Sequence, residues 1–249
     1  MFIKKYYSQK TETMKTGIIL SFIFGVFSLA LQAQDTKAIR VKADTDLKYA
    51  IPVAERYRYP QFKEGTVSFF NAAPATAKLN YNFQLGEVQF LSLTKDTLSL
   101  ANEKTIKQIQ IGENIFYYDV AHGYVERIAT YPKAYLVVKT MFKVAAVEKM
   151  AAMGKSSATS SIREVNMLST GNSSVQKLAS KGDIVFSKDK LYFLMDLNHR
   201  FYKTTKGGFL KLFPTHKKAI EDYFKAENLD LENEDHLKKI LQFCSELPQ

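Results

Sequence analysis

The chain is poor in the residues that build disulfides, metal sites and thiol chemistry. Its 249 residues include one cysteine, four histidines and no tryptophan. A single thiol excludes an internal disulfide, so the burial of apolar surface has to stabilise the fold. That cysteine, Cys244, lies in an apolar stripe of helical spacing, where a small buried side chain is its expected role. The lack of tryptophan removes the commonest stacking residue for sugars, although the fourteen tyrosines can take that role.

The sequence motifs of the common catalytic and cofactor-binding folds are also missing. The chain contains no Gly-x-Ser-x-Gly, His-Glu-x-x-His, Cys-x-x-Cys or Gly-x-Gly-x-x-Gly pattern. The four histidines are scattered, whereas metal-binding histidines are usually close in sequence or gathered by the fold. We therefore predict no cofactor and no metal site.

One acid–base pair is the candidate for catalysis. Asp119 and His122 flank a turn between two predicted strands, and such a turn would present both side chains to one cleft. The structural alternative is that both are ordinary turn residues, because Asp is common in turns and His122 directly precedes a glycine, which is also common there.

Long hydrophobic runs are absent apart from one near the start of the chain. The run at 17–31 has fifteen residues, fewer than the roughly twenty needed to span a membrane. A lysine precedes the run, and a small residue suited to a cleavage site, Ala33, follows it. A charged start, an apolar run and a small-residue cleavage site are the three parts of a secretory signal. We expect residues 1–33 to be a signal peptide cleaved after Ala33, with a retained N-terminal anchor as the alternative. Translation begins at Met1 or, as the position of the apolar run suggests, at Met14.

The charge balance is basic but dispersed. The whole chain carries +10, and residues 1–33 hold four lysines against one glutamate, which leaves +10 − 3 = +7 on the mature chain. The lysines are spread along the sequence, as on a solvated surface. Attraction to anionic envelope components is expected, whereas nucleic acid is not, because no clustered basic motif is present.

The region that follows the leader, residues 34–149, has the pattern of an antiparallel β domain. Its extended entry segment at 34–60 holds at most one short strand. Beyond it, β-forming residues alternate with polar ones between turn residues. This pattern predicts eight strands, at 66–70, 77–83, 87–91, 97–100, 106–111, 115–120, 124–129 and 134–147. The stretch at 104–108 is also compatible with a helical turn.

Residues 150–183 differ from their surroundings. Ser, Thr, Gly and Asn dominate this stretch, which offers too little apolar area to offset the entropy of ordering. We predict a flexible loop here.

The last region, residues 184–249, combines strands with helices. Apolar segments on either side of residues 187–190 predict a β-hairpin, and Gly207-Gly208 marks the end of the β region. Two helices follow, one opening at Pro214 and one capped by Asn233. The fold class is therefore α+β, mainly β: an antiparallel meander forming a roll, sandwich or barrel, with a C-terminal two-helix hairpin packed against it.

Aromatic residues form a further cluster in the β region. Five tyrosines fall in or next to three consecutive predicted strands: Tyr117, Tyr118, Tyr124, Tyr131 and Tyr135. If several lie on the solvent face they form a binding surface for a protein or a polymer. The alternative is that they pack in the core.

Two runs of the sequence stand out as a combination: Leu79-Asn80-Tyr81-Asn82 with the following Gly86-Glu87-Val88-Gln89-Phe90-Leu91, and Phe209-Leu210-Lys211-Leu212-Phe213-Pro214. Together they resemble a family of uncharacterised exported proteins from Bacteroidota. The resemblance implies an envelope location in a Gram-negative host, and no activity. Asp96-Thr97-Leu98 also resembles the short O-glycosylation signal of that phylum, which implies a glycan on Thr97.

These observations favour an exported, periplasmic or secreted, non-catalytic binding module of the cell envelope. Its expected partner is another protein or an anionic glycan, bound through the exposed face of the sheet or through the loop. The alternative is an envelope hydrolase whose site is assembled only in the fold, with Asp119 and His122 as its first candidates.

Overall fold

A computed structural model describes residues 38–42, 45, 50–150, 156–157 and 182–248. All of them belong to one compact unit, Thr36–Gln249. The predicted signal peptide and most of the predicted loop lie outside the described residues, so both stay predictions.

Twelve strands form one antiparallel sheet in the described part of the chain. Their bounds are β1 Ile39–Val41, β2 Lys63–Phe69, β3 Ala75–Asn82, β4 Glu87–Leu91, β5 Thr97–Ser99, β6 Ile106–Ile111, β7 Asn114–Asp119, β8 Gly123–Tyr131, β9 Ala134–Met150, β10 Ser156–Ser157, β11 Gly182–Asp196 and β12 Phe201–Lys203. The helices are α1 Val53–Arg56, α2 Lys206–Leu212, α3 Lys217–Ala226 and α4 Glu234–Glu246, and 3-10 turns lie at Glu103–Thr105 and Pro214–His216. The predicted class, mainly β with a C-terminal helical region, is confirmed.

The sheet consists of two meanders that share strand β2. Strands β2 to β5 run in sequence order toward one edge, and the chain then returns to place β6 on the other side of β2. From there β6, β7, β8, β9 and β11 continue outward, and β1 and β12 both pair with β11. The sheet is open and strongly curved. Strands β3 and β9 are far apart in strand order, yet the amide of Phe142 in β9 donates to the carbonyl of Phe83, the residue after β3, at 3.2 Å.

The strand prediction between β2 and β9 is confirmed within a few residues, but the predicted hairpin turn at 187–190 is wrong. Strand β11 passes straight through these residues, paired with β9 along its whole length. Two of its polar side chains have partners on other elements: Asp189 accepts from Lys143 of β9 at 2.6 Å, and the Lys188 ammonium lies 3.7 Å from the Glu55 carboxylate of α1. The turn lies instead between β11 and β12.

Helix α2 is an element that the sequence pattern did not predict. Gly207 and Gly208 lie inside this helix rather than marking the end of an element. The Thr205 hydroxyl caps the helix by accepting from the Gly208 amide at 3.2 Å. A side chain at Gly208 would bring its Cβ to 1.9 Å from the carbonyl oxygen of Lys203, so the second glycine permits the close approach of α2 to β12. The expected cap of α4 is confirmed, because Asn233 accepts from two amides of the first turn.

The inner face of the sheet holds the main core. On β9, Leu136 and Val138 pack against the C-terminal helices, and Phe142, on the same face, packs where the sheet curls over itself. There Tyr81 stacks on Phe116 with ring centroids 5.5 Å apart. This face therefore has two covers, the helices at one end and the curled β2–β5 meander at the other.

The opposite side of the sheet, which we call the outer face, carries a separate apolar cluster. The buried members of this outer-face cluster are Tyr117, Val125, Val137, Phe193 and Met195. They come from β7, β8, β9 and β11, and no helix of the described residues belongs to the cluster.

A search of the described residues for membrane-spanning helices found none with sufficient length and apolar character.

Candidate functional site

Two hairpin turns fold histidine rings onto the outer-face cluster. His122, from the turn between β7 and β8, has its ring centroid 4.3 Å from that of Phe193. His199, from the turn between β11 and β12, lies 4.7 Å from Tyr117. Imidazoles from two separate hairpins thus form part of the layer between the buried cluster and the solvent.

Each of these turns is shaped by an aspartate at the end of the preceding strand. The Asp119 Oδ1 accepts from the amides of Ala121 and His122, both at 2.9 Å. The Asp196 Oδ1 accepts in the same way from the amides of residues 198 and 200, also at 2.9 Å. Such carboxylate-to-amide bonds substitute for a backbone turn and fix the direction in which the chain returns.

The turn at Asp196 is the more heavily bonded of the two. Its second oxygen accepts from Arg200 Nε at 2.7 Å and from the Tyr202 hydroxyl at 3.2 Å. Burial opposes ionisation, but the hydrogen bonds from Arg200 and Asn198 outweigh it and lower the pKa of Asp196. The structure also holds His199 at a φ of 61°, a left-handed conformation that side chains other than glycine seldom adopt.

The predicted pair Asp119 and His122 lies in one turn, as expected, but the two side chains do not form a hydrogen-bonded dyad. The distance from His122 Nε2 to Asp119 Oδ1 is 4.0 Å, beyond hydrogen-bond reach. That oxygen already accepts two amides, and the imidazole packs on Phe193 instead. The geometry gives both residues a turn-forming role, and their catalytic role stays a prediction. No group of three or more potential metal ligands occurs among the described residues.

A half-buried lysine lies on the same face. Lys139 is paired in register with Leu191 of β11, and its Nζ is 3.5 Å from where a Cβ on Gly123 would stand. No carboxylate lies within 4.0 Å of this ammonium group in the described part of the chain, and burial lowers the pKa of Lys139. The neighbouring Lys143, in contrast, is neutralised by Asp189.

Other cations line the face. The Arg127 guanidinium lies over the Tyr135 ring at 5.3 Å, and its Nη1 donates to the Tyr117 hydroxyl at 3.4 Å. Burial and the nearby Lys107 together lower the pKa of His199, although Asp196 acts in the opposite direction. The outer face therefore places the cationic groups of Lys139 and Arg127 close to aromatic and imidazole rings.

Exposed aliphatic side chains surround these groups. Val120 at the tip of one turn is 69% exposed, Leu197 in the other turn is 53% exposed, and Leu191 on β11 is 46% exposed. Single exposed aliphatic residues are common on any protein surface. Two of the three lie in the turns that carry His122 and His199, and the third, Leu191, pairs in register with Lys139.

The tyrosines of the β region are divided between the two sides of the sheet. Tyr117 and Tyr135 stack on the outer face with centroids 6.2 Å apart. Tyr118 and Tyr124 pack at the inner core, and the Tyr131 hydroxyl donates to a carbonyl of α4. Tyr117 is only 3% exposed, so it packs within the outer-face cluster, and a binding surface made of these tyrosines stays a prediction.

Three members of this face were not predicted from the sequence: Lys139, Phe193 and His199. Period-2 alternation would place the first two on one side of the sheet once the strand pairing is known. Nothing local in the sequence indicates that the turn carrying His199 folds over Tyr117, which is 82 positions earlier in the chain.

A glycan on Thr97 requires an exposed side chain, and Thr97 is exposed on the three-residue strand β5. The glycan itself stays a prediction.

Comparisons with protein-family models, with curated proteins and with solved structures found no match.

Proposed function

We propose that the protein is an exported, non-catalytic binding module of the cell envelope and that its outer face binds a partner protein. The observation that carries this proposal is the composition of that face. It combines partly exposed aromatic and imidazole rings, an arginine stacked on tyrosine, three exposed aliphatic side chains and a lysine that no carboxylate of the described residues neutralises.

Protein interfaces favour this combination. Aromatic residues and arginine are enriched in them, and their centres exclude water from a few buried anchors. Lys139 fits such an anchor, because it has already lost part of its hydration without gaining a carboxylate partner among the described residues. A partner carboxylate would neutralise this charge, so we expect the bound surface of the partner to be acidic.

The hydrolase alternative has less support from the geometry. A histidine that acts as a general base is usually oriented by a hydrogen bond from its ring to a carboxylate. The distance of 4.0 Å between His122 Nε2 and Asp119 Oδ1 is too long for such a bond. Export is supported by the three-part leader at residues 1–33, and the resemblance to exported envelope proteins is consistent with it.

Site-specific photo-cross-linking in the native host tests the proposed face. A photoreactive amino acid is placed at Leu191 or Val120 on the outer face, and at Val53 or Phe70 as matched controls. The controls are equally apolar and similarly exposed, at 66% and 58%. We expect one discrete adduct from the two outer-face positions and none from the controls.

The charge requirement is tested on the same adduct. Lys139→Glu should abolish it at Leu191, whereas Lys133→Glu, an exposed lysine in the turn between β8 and β9, should leave it unchanged. Equal labelling from all four positions, or an adduct that survives Lys139→Glu, would contradict the proposal.

A further inference from the structure

Strand β11 has one side that is paired at its two ends and open between them. On its other side, β11 pairs with β9 along its whole length. On the side away from β9, β1 covers residues 184–186 and β12 covers residues 193–195. Between these two short strands, no strand of the described residues pairs with residues 187–192 on that side. We call this open stretch the β11 gap.

The direction of the backbone groups in the β11 gap follows from a neighbouring contact. The carbonyl of Tyr192 accepts from the Thr204 hydroxyl, which follows β12, at 3.3 Å, so Tyr192 directs its backbone groups away from β9. Because this direction alternates along an antiparallel strand, Lys188 and Lys190 direct theirs the same way. The N–H and C=O groups of both lysines thus point into the gap, where no backbone group of the described residues pairs with them.

The side chains of these two lysines do not shield the gap. Lysines on an edge strand commonly prevent pairing with a further strand. Here the Lys188 Nζ lies 4.6 Å from the centroid of the Phe83 ring, and the Lys190 Nζ lies 3.3 Å from a carboxylate oxygen of Glu234. Both ammonium groups are held by contacts on the inner face, so the backbone edge is open to one more strand.

The register of β1 indicates which segment would pair there. Ile39 lies opposite Phe186, and Val41 lies opposite Ile184, so the chain that precedes β1 is directed toward the β11 gap. Continued in the same register, residue 38 falls opposite residue 187 and residue 34 falls opposite residue 191. Residues 34–37 lie outside the described residues.

The length of this segment matches the β11 gap. A strand that continues β1 must end before it reaches the position opposite Phe193, because Lys203 of β12 already occupies that position. The carbonyl one position earlier already has a hydroxyl donor. Five positions remain, residues 187–191, and the predicted cleavage after Ala33 leaves five residues ahead of β1, residues 34–38.

We propose that residues 34–38 of the mature chain extend β1 and fill the β11 gap, so that the N terminus created by cleavage completes the edge of the sheet. This inference rests on the proposed function in one respect, export with cleavage after Ala33. Gln34 would lie beside Leu191, whose partner on β9 is Lys139. Maturation would thus add the new N terminus to the border of the outer face.

The proposed strand has a defined alternation of its amides. Asp35 would face Lys190, and Lys37 would face Lys188, as pairs that exchange backbone hydrogen bonds. The amide of the intervening Thr36 would point away from β11 to the solvent. A substitution that removes an amide should therefore matter at residues 35 and 37 but not at residue 36.

Amide hydrogen exchange, measured by NMR, tests the proposal on a chain expressed without its leader and beginning at Gln34. The reference is a shortened chain that begins at Ile39, and circular dichroism verifies that both fold. We expect the amides of Lys188 and Lys190 to exchange about tenfold more slowly, or slower still, in the longer chain. The amide of Asp189 faces β9 and should be equally protected in both chains.

Proline variants of the longer chain provide the matched controls. Lys37→Pro removes an amide that would bond to β11, so the amides of Lys188 and Lys190 should exchange as fast as in the shortened chain. Thr36→Pro removes an amide that would point to the solvent, so exchange should stay slow. Lys37→Ala removes the charge but keeps the amide, and exchange should stay slow there as well.

Several outcomes would overturn the proposal. One is equal exchange at Lys188 and Lys190 in the longer and the shortened chain. Another is protection that both proline variants abolish or that neither affects. Protection that rises with protein concentration would assign the β11 gap to a second copy of the chain instead.

Failure of this inference is distinguishable from failure of the proposed function. The exchange experiment uses a chain made without its leader, so its result does not depend on export. Fast exchange at Lys188 and Lys190 would refute only the filled gap. A leader found intact on the protein from its native host would refute the proposed export, and with it the creation of this N terminus by cleavage.

Discussion

The turn that carries His199 depends on one carboxylate, and its removal is the sharpest test of how the outer face is built. Asp196 is 7% exposed and accepts four hydrogen bonds. Two come from backbone amides of the turn, one from Arg200 and one from Tyr202. Asp196→Ala would leave these donors without their acceptor while His199 is held at positive φ.

The expected cost can be worked from the donors that lose their partner. A net contribution of about 1 kcal/mol applies to an ordinary hydrogen bond, and more when one partner is charged. The Arg200 side chain is 70% exposed, so solvent screens its bond and it adds little. We therefore expect Asp196→Ala to lower the free energy of unfolding by about 2–4 kcal/mol. Asp196→Asn keeps an acceptor for the two amides and should cost about half as much.

Urea denaturation followed by circular dichroism measures this loss, and Asp119→Ala provides the matched control. Asp119 performs the same backbone role in the other turn, with two hydrogen bonds rather than four and greater exposure. We expect about 1 kcal/mol for that variant. The ring-current shift of the His199 Hε1 proton should be lost in Asp196→Ala and retained in Asp119→Ala. Equal costs for the two alanine variants would refute the argument that the second oxygen matters.

The same residue predicts a dependence on acid. Because the pKa of Asp196 is lowered in the folded state, its ionised form stabilises the protein above the unfolded value, near 3.8. This contribution is lost as the pH falls through the lower, folded value. The stability difference between the wild-type chain and Asp196→Asn should therefore disappear only in strong acid. A difference that vanishes already at pH 5 would show that the hydrogen bonds to Asp196 do not favour its ionised form.

Four further results are expected. Gly65→Ala should destabilise the protein by about 1–3 kcal/mol in urea denaturation, because the new Cβ would lie 2.6 Å from the carbonyl oxygen of Gln110; a neutral effect would show that β2 and β6 can separate freely. Cys244 should react with a thiol reagent only after unfolding, since burial raises its pKa to about 12, and rapid reaction of the native protein would contradict that burial. Because the pKa of His199 is lowered from 6.5, stability should fall as the pH drops below that value, and His199→Gln should flatten this part of the profile unless another group causes it. N-terminal sequencing of the mature protein should begin at Gln34, and an intact leader would refute cleavage.

Local patterns in the sequence were enough for much of the sheet. Alternation such as Val88-Gln89-Phe90 and Ile109-Gln110-Ile111 fixes both the strand and the side that each residue faces, because side chains in a strand alternate with period 2. Asn233 likewise predicts the start of α4, because a capping side chain acts within its own turn.

Two predictions that depended on turn residues were wrong. Residues 187–190 have the polar composition of a turn, yet their partners lie on β9 and α1, more than forty residues away. Two consecutive glycines suggest the end of an element, yet in α2 one of them exists because the carbonyl of Lys203 leaves no room for a side chain. Tertiary contacts overrode local composition in both cases.

The sequence by itself determined the mainly β class and the absence of recognisable catalytic motifs, since both depend on composition or on neighbouring residues, and it predicts a secretory leader. The tertiary structure alone decided which side chains share the outer face. The strand order brings β7, β8, β9 and β11 together. As a result, His122 and His199 pack on one aromatic cluster from two hairpins. Lys139 lies beside Gly123 for the same reason, and no carboxylate of the described residues pairs with it. Strand order is set by the burial of the whole core, a long-range property that no single segment of the chain contains.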